Sequence, residues 1–502
     1  FQNNLMGAAA AAASAGGAGF YTHQIANSCR FDGAGKFLRT NGSAPTLATK
    51  YTFSTWVKRS KLSASMCLIA SETNNINYDD FIFNSSNQLY QTSQRSTTYE
   101  TYDVSVYRDI SAYYHVVFQW DTTLASATDR MKVYVNGVRL AWDQTTYSGA
   151  IPQDTALKLN ENGASLSVGY SVSNARIFNG YMAQTAGIDG SIVAIGDLGE
   201  TKNGVWIAKD LSGLTFGNNG FLLDYALSGD MGNDVSGNNN DFTPTSISPH
   251  DQMLDSPTFN SNSNGGNFCT WNILSRTNPA LSYGASTFSE GNLAFAGATG
   301  GTASTGSTFS MQSGKWYTEV MQSGSPAGGW PAAGVIYTDK MGTAQGTSNI
   351  QPQNGFTAFI AMTNGDLYKF DASPAASYGS AFGNGDICNI AVDIDAGKIW
   401  WGKNGTYFAS GNPVTGANPG DTFTAGTVLS LWVAGYNGSG TSILNAGQDG
   451  TFAGAKTAQG NSDDTGYGNF YYDPPTAFLA LCSGNLPVAD AIDPAQTDDN
   501  YP

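Results

Sequence analysis

Three times in this chain an Asn-Gly pair stands between two runs of strand-forming residues, and that device dictates antiparallel β structure. Met131-Lys-Val-Tyr-Val135 passes through Asn136-Gly137 into Val138-Arg-Leu140. Gly355 to Met362 passes through Asn364-Gly365 into Leu367 to Phe370, and Gly397 to Trp401 passes through Asn404-Gly405 into Thr406 to Phe408. A two-residue hairpin turn needs positive φ at both positions, which Asn and Gly supply at low cost. The flanking runs carry the period of a strand: Tyr114, Val116, Phe118 and Trp120 fall on one face. Tyr51 to Val57 is equally rich in β-branched and aromatic residues.

Composition points the same way. Of 39 acidic residues only six are Glu, and Asp favours turns where Glu favours helices. With 60 Gly and 12% charged residues, the chain suits short strands joined by tight turns. A length of 502 residues exceeds one sandwich and accommodates two. The expected fold class is therefore all-β, with two antiparallel β-sandwiches in tandem behind a short N-terminal arm.

The expected parts are as follows. Residues 1–30 form an Ala/Gly-rich arm, residues 31–225 a first sandwich, and residues 226–267 a turn-rich linker. Residues 268–486 form a second sandwich, and residues 487–502 an acidic tail. Ala8 to Ala13 suits a helix that Gly16, Gly17 and Gly19 end. The arm reads either as a frayed tail or as a small-residue peg docking on another protein. In the second reading Phe1, Leu5, Met6 and Ala10 are the anchoring residues.

Several function classes fall away. A formal charge of −16 without a basic run opposes nucleic-acid binding. No apolar stretch of about 20 residues exists to insert into a membrane. Five scattered Cys (Cys29, Cys67, Cys269, Cys388, Cys482) show neither zinc spacing nor a disulfide framework. The expectation is a non-enzyme. With three His (His23, His115, His250), a Ser-His-Asp triad has few candidates, and no Gly-x-Ser-x-Gly elbow is present. Glycoside hydrolysis needs paired carboxylates, yet no two Glu lie within 25 residues of each other. Asp393 and Asp395 share a strand face, as an acid pair or as turn caps.

Two kinds of binding residue stand out. Trp330, in the loop Ala327-Gly-Gly-Trp-Pro-Ala332, and Trp142, just past a hairpin, are candidates for stacking on a sugar. Each has the alternative of folding onto the core. No cofactor is expected beyond calcium, for which Asp230, Asp234, Asn238 and Asp241 offer hard oxygen ligands without EF-hand spacing. The alternative for that run is a solvated turn.

Tyr51 to Val57, Tyr114 to Trp120, Val133 to Val138, Asn179 to Ala183 and Asp234 to Asp241 together resemble a laminin G-like, concanavalin-like domain. Gly314 to Val320, Gly385 to Trp400, Lys403 to Gly405 and Leu444 to Gln448 resemble a SPRY domain. The tandem, with Phe1 to Ala8, Asn203-Gly-Val-Trp206, Asp251 to Asp255 and Pro474 to Cys482, is similar to appendage proteins of tailed bacteriophages. That resemblance implies a virion location, other virion proteins as partners through the arm, and host surface polysaccharide as ligand. It also implies a homo-oligomeric or multicopy arrangement. The alternative is a purely structural decoration protein; a polysaccharide hydrolase is the third reading.

Overall fold

The computed structural model describes residues 20–486 except 75–76, 144–149, 172, 260–263, 277–285, 299–301, 327–329, 343–354, 371–374 and 437–439. The fold is all-β: two concanavalin-like antiparallel sandwiches in tandem, each of two stacked sheets.

In the first sandwich, one sheet runs in space through Val138–Arg139, Met131–Val135, Tyr114–Asp121, Lys50–Arg59, Asn179–Asp189, Ser28–Asp32 and Gln252–Met253. The facing sheet runs from Trp142–Asp143 through Thr98–Asp103, Leu89–Gln94, Asn77–Phe83, Met66–Asn74, Ser165–Val168 and Lys36–Thr40 to Thr243–Thr245. The alternation seen in the sequence sorts the faces. Tyr51, Phe53, Val57, Val116, Phe118 and Trp120 enter the core between the sheets. Their neighbours Trp56 and His115 point out of it, and both are nonetheless buried.

The second sandwich pairs a nine-stranded with a five-stranded sheet. Lys315–Ser323 is central in the larger, flanked by Ile387–Asp393 and Thr441–Asn445. Leu429–Tyr436 is central in the smaller, flanked by Thr302–Met311 and Ala332–Tyr337. Trp316, Trp401 and Leu431 fill the space between, and the Trp401 indole N–H donates across it to the Ala333 carbonyl at 3.2 Å. All five cysteines are buried and unpaired.

Two expectations about the connections need correction. The run from 226 to 267 does more than link. Thr243–Thr245 extends one sheet beside Lys36–Thr40, and Gln252–Met253 extends the other beside Ser28–Asp32. Its many Asn, Asp and Ser side chains provide the hydrogen bonds that let an irregular segment pack. Ser256 Oγ, for example, donates to the carbonyls of Ile25 and Thr258. The arm likewise ends earlier than residue 30, because Ser28–Asp32 pairs with Asn179–Asp189 inside the sheet. Phe1, Leu5, Met6 and Ala10 lie outside the described residues. Among the described residues no helix is long and apolar enough to cross a membrane.

Candidate functional site

The outer face of the first sandwich's sheet is where the molecule concentrates unusual chemistry. A fully buried arginine, Arg30, faces outward from Ser28–Asp32. It reaches Asp251 and Asp449 at 3.0 Å and Glu290 at 3.2 Å. Asp449 and Glu290 come from the second block, so this ion cluster joins the two sandwiches. Burial works against the Arg30 charge, but Asp449, Asp251 and Glu290 outweigh it and hold its pKa above the ordinary value. Nearby, buried Lys58 donates to Asp255 at 2.7 Å, to the Asn267 side chain at 2.7 Å and to the Phe268 carbonyl at 2.8 Å. An apolar layer of Trp56, Tyr181, Met253, Leu293, Met321 and Phe452 fills the rest of the seam.

One docking element is strained. Glu290, Gly291 and Asn292 all have positive φ (53°, 64° and 67°). The turn they make aims the Glu290 carboxylate at Arg30 and the Gly291 carbonyl at the Tyr181 hydroxyl, 2.8 Å away.

Beside the seam the same face carries a stack of three rings. Trp56 lies on His115 at 4.6 Å, and His115 lies on Trp206 at 6.0 Å, with interplanar angles of 19° and 21°. The Trp206 indole N–H donates to His115 Nδ1 at 2.9 Å, so that nitrogen carries no proton. His115 Nε2 therefore holds the proton and donates to Ser54 Oγ, also at 2.9 Å. Burial lowers the His115 pKa to about 3, so the ring is neutral at ordinary pH.

Trp206 is held between two glycines. A Cβ on Gly137 would lie 2.5 Å from its ring, and so would one on Gly199. Gly137 thus has two duties, its φ of 78° and this close approach. Gly163 has a similar φ of 79° but open space around it. Gly137→Ala is expected to cost about 2 kcal/mol more than Gly163→Ala, the difference being the displaced indole. Parallel urea unfolding of the two variants measures it, and equal losses would remove Trp206 packing from the account.

The stack borders a cleft of about 510 Å³. Its aromatic lining is Tyr21, Trp56, Tyr107, Tyr113, Tyr114 and Trp206. Polar groups come from Ser105, Asp109, Asn136, Thr201, Asn267 and Ser483. Tyr21 and Trp56 build it together with the loop at 105–114, the hairpin through Asn136-Gly137, the hairpin of Gly199–Lys202 with Val205–Ala208, and residues 257, 267 and 483. Buried Arg59 ties the loop down by donating to the Tyr107 carbonyl and to Asn87. Tyr113 donates to the Asp255 carbonyl at 2.8 Å, and Asn267 donates to the Ser111 carbonyl at 2.5 Å. The cleft is consequently a composite of both blocks.

The residues expected from the sequence lie elsewhere. Trp330 is 42% exposed beside Ala332–Tyr337 of the second sandwich. The Trp142 backbone pairs with Asp103 at the edge of the first sandwich. The acidic turn closes on itself: Asp234 Oδ1 accepts the amides of Leu222 and Ser236, and Oδ2 accepts Ser236 Oγ and the Asn240 amide. Asp241 accepts the Asp234 amide, and the Asn238 amide group donates to the carbonyls of Gly217 and Gly220. The oxygens of Asp234 and Asp241, two of the four expected calcium ligands, are thus engaged by hydrogen bonds within this turn and its neighbour. Among the described residues no group of three or more His, Cys, Asp or Glu could hold a metal ion. Asp393 pairs with Lys315 at 3.4 Å and caps Ala396, while Asp395 caps Gly314. Buried Glu319, pushed up to about 7 by burial, is tied by the amides of Tyr471 and Tyr472, by Tyr317 and by Asn445. The cleft itself left one trace in the sequence, the Asn-Gly turn and the Asn203-Gly-Val-Trp206 motif that face each other across Trp206.

This architecture, two stacked antiparallel sheets with an aromatic face, defines a concanavalin-like fold. Residues 32–189 match the family described as the concanavalin A-like lectin/glucanases superfamily. No curated protein matches the chain. Among solved structures, the SPRY domain of human HERC1 is similar at 15% identity, covering 35% of this chain and 96% of that one, with a TM-score of 0.27. The mouse laminin alpha1 chain domains LG4-5 are similar at 8% identity over 82% of this chain and 83% of that one, with a TM-score of 0.32. A heptameric SAP-like pentraxin from Limulus polyphemus is similar at 14% identity over 34% and 80%, with a TM-score of 0.27.

Proposed function

We propose that this protein is a non-catalytic carbohydrate-recognition component of a virion appendage, and that the aromatic cleft of the first sandwich holds the glycan. The cleft carries the reading. Trp206, half-buried and clamped by Gly137, Gly199 and His115, is the ring that would meet the C–H face of a sugar. Hydroxyl, amide and carboxylate groups surround it and suit a sugar's hydroxyls. Weak single sites gain strength from many copies on one particle. Support for the virion setting is the likeness of Phe1 to Ala8, Asn203 to Trp206, Asp251 to Asp255 and Pro474 to Cys482 to phage appendage proteins, with the arm as the tether.

A glycan array probed with the intact protein tests the reading. Trp206→Ala is expected to weaken binding at least about tenfold, the worth of one lost sugar–aromatic contact. Trp330→Ala is expected to leave it unchanged. Circular dichroism checks that both variants keep their fold. The reverse pattern would move the site to the second sandwich, and an array with no bound glycan would leave a structural protein.

A further inference from the structure

The cleft has a chemical bias beyond being aromatic. Asp109 is the one charged side chain among its described lining residues, and no Lys or Arg lines it. With a net charge of −16 around it, a uronic, sialic or sulfated sugar finds no counter-charge there. A neutral sugar meets no such penalty.

A second apolar wall narrows the class further. Val135, Val138 and Leu140 of the hairpin, with Val106 and Val205, also line the cleft. Val106 is 53% exposed and Val138 65% exposed, so these two valines are open to a ligand, whereas Val135, Leu140 and Val205 pack inward. One or two rings satisfy the apolar face of a plain hexose, which leaves the aliphatic wall without a partner. Asn136 stands in the turn of the same hairpin. Its Oδ1 accepts the His115 backbone N–H at 2.8 Å, so the group it has to offer is its Nδ2 donor. A methyl-bearing substituent with a carbonyl acceptor matches wall and donor together.

Resting on the glycan reading above, we infer that the cleft selects neutral N-acetylated amino sugars, with the acetyl methyl on Val106 and Val138 and its carbonyl on Asn136.

The test uses the intact chain and matched disaccharides of gluco, galacto and manno configuration, each with and without the 2-acetamido group, titrated by ligand-observed NMR. The acetamido member of at least one pair is expected to bind about fivefold or more tightly, with its methyl protons receiving the strongest saturation. Val138→Ser and Asn136→Asp are expected to abolish that preference. Val138 is exposed and Asp keeps both the turn and the acceptor, so neither change threatens the fold. Equal binding within every pair, lost in Trp206→Ala, would overturn the acetamido inference and leave the glycan site standing. No binding by any disaccharide would overturn both, and would leave the valine rim as a protein contact.

Discussion

Arg30→Met is expected to lower the unfolding free energy by about 3–5 kcal/mol, the cost of removing one partner from a buried ionic cluster. The guanidinium is the common partner of Asp251, Glu290 and Asp449. Without it, three carboxylates face one another across the seam between the sandwiches. Burial already raises the Glu290 pKa against the pull of Arg30, so the orphaned group takes up a proton more readily still. The deficit is therefore largest near neutral pH and narrows as pH falls and the Glu290 carboxyl takes up its proton. Met restores volume but supplies no counter-charge. Urea unfolding at pH 7 and pH 4.5 measures both effects. The wild type is expected to unfold in one transition, and the variant in two as the sandwiches uncouple. A loss under about 1 kcal/mol at pH 7 would mean that the seam is held by its apolar layer alone.

The second large effect is acid lability through His115. Its folded pKa of about 3 lies below the value near 6.5 of an unfolded chain. The sign follows from proton uptake. Below pH 6.5 the unfolded state binds a proton that the folded state refuses, so stability is lost as pH falls. Between pH 7 and pH 4 this linkage amounts to about 3 kcal/mol. Protonation would also set an Nδ1–H against the Trp206 N–H, which has no other role than donor. Glu319, raised to about 7, contributes with the opposite sign and loses stability as pH rises through that value. The informative quantity is thus the difference between wild type and His115→Phe. The variant pays a pH-independent cost for the lost hydrogen bonds, and the gap between the two is expected to shrink by about 3 kcal/mol from pH 7 to pH 4. A constant gap would show that His115 takes up its proton in the folded protein.

How much of this was legible depends on the range of the interaction. The Asn136-Gly137 turn and the alternation of Tyr114 to Trp120 are local devices, and both strands and hairpin follow from them. Trp56 was legible as buried but not in its surroundings. Its strand pattern suggests the sandwich core, whereas it packs on the opposite face against His115. The motifs Asn203 to Trp206 and Asp251 to Asp255 were visible as motifs. Their work, clamping the ring stack and supplying carboxylates to Arg30 and Lys58, uses hydrogen bonds to partners 91 to 221 residues away. Loop tryptophans drew attention because an aromatic in a turn has no obvious core partner. The cleft instead uses buried or half-buried aromatics, from strands (Trp56, Tyr114, Trp206) and from the segments between them (Tyr21, Tyr107, Tyr113), which no local pattern separates from core.

By itself the sequence determined the all-β class, the hairpins and the tandem of sandwiches. These rest on periodicity and turn chemistry, which are properties of short windows, and on the length of the chain. The tertiary structure alone decided that the turn-rich segment is woven into the first sandwich, that a buried arginine joins the two blocks, and that the cleft forms where they meet. Each of those depends on which outward-facing residues find one another across hundreds of positions, and burial of charge and closure of a cavity exist only once they do.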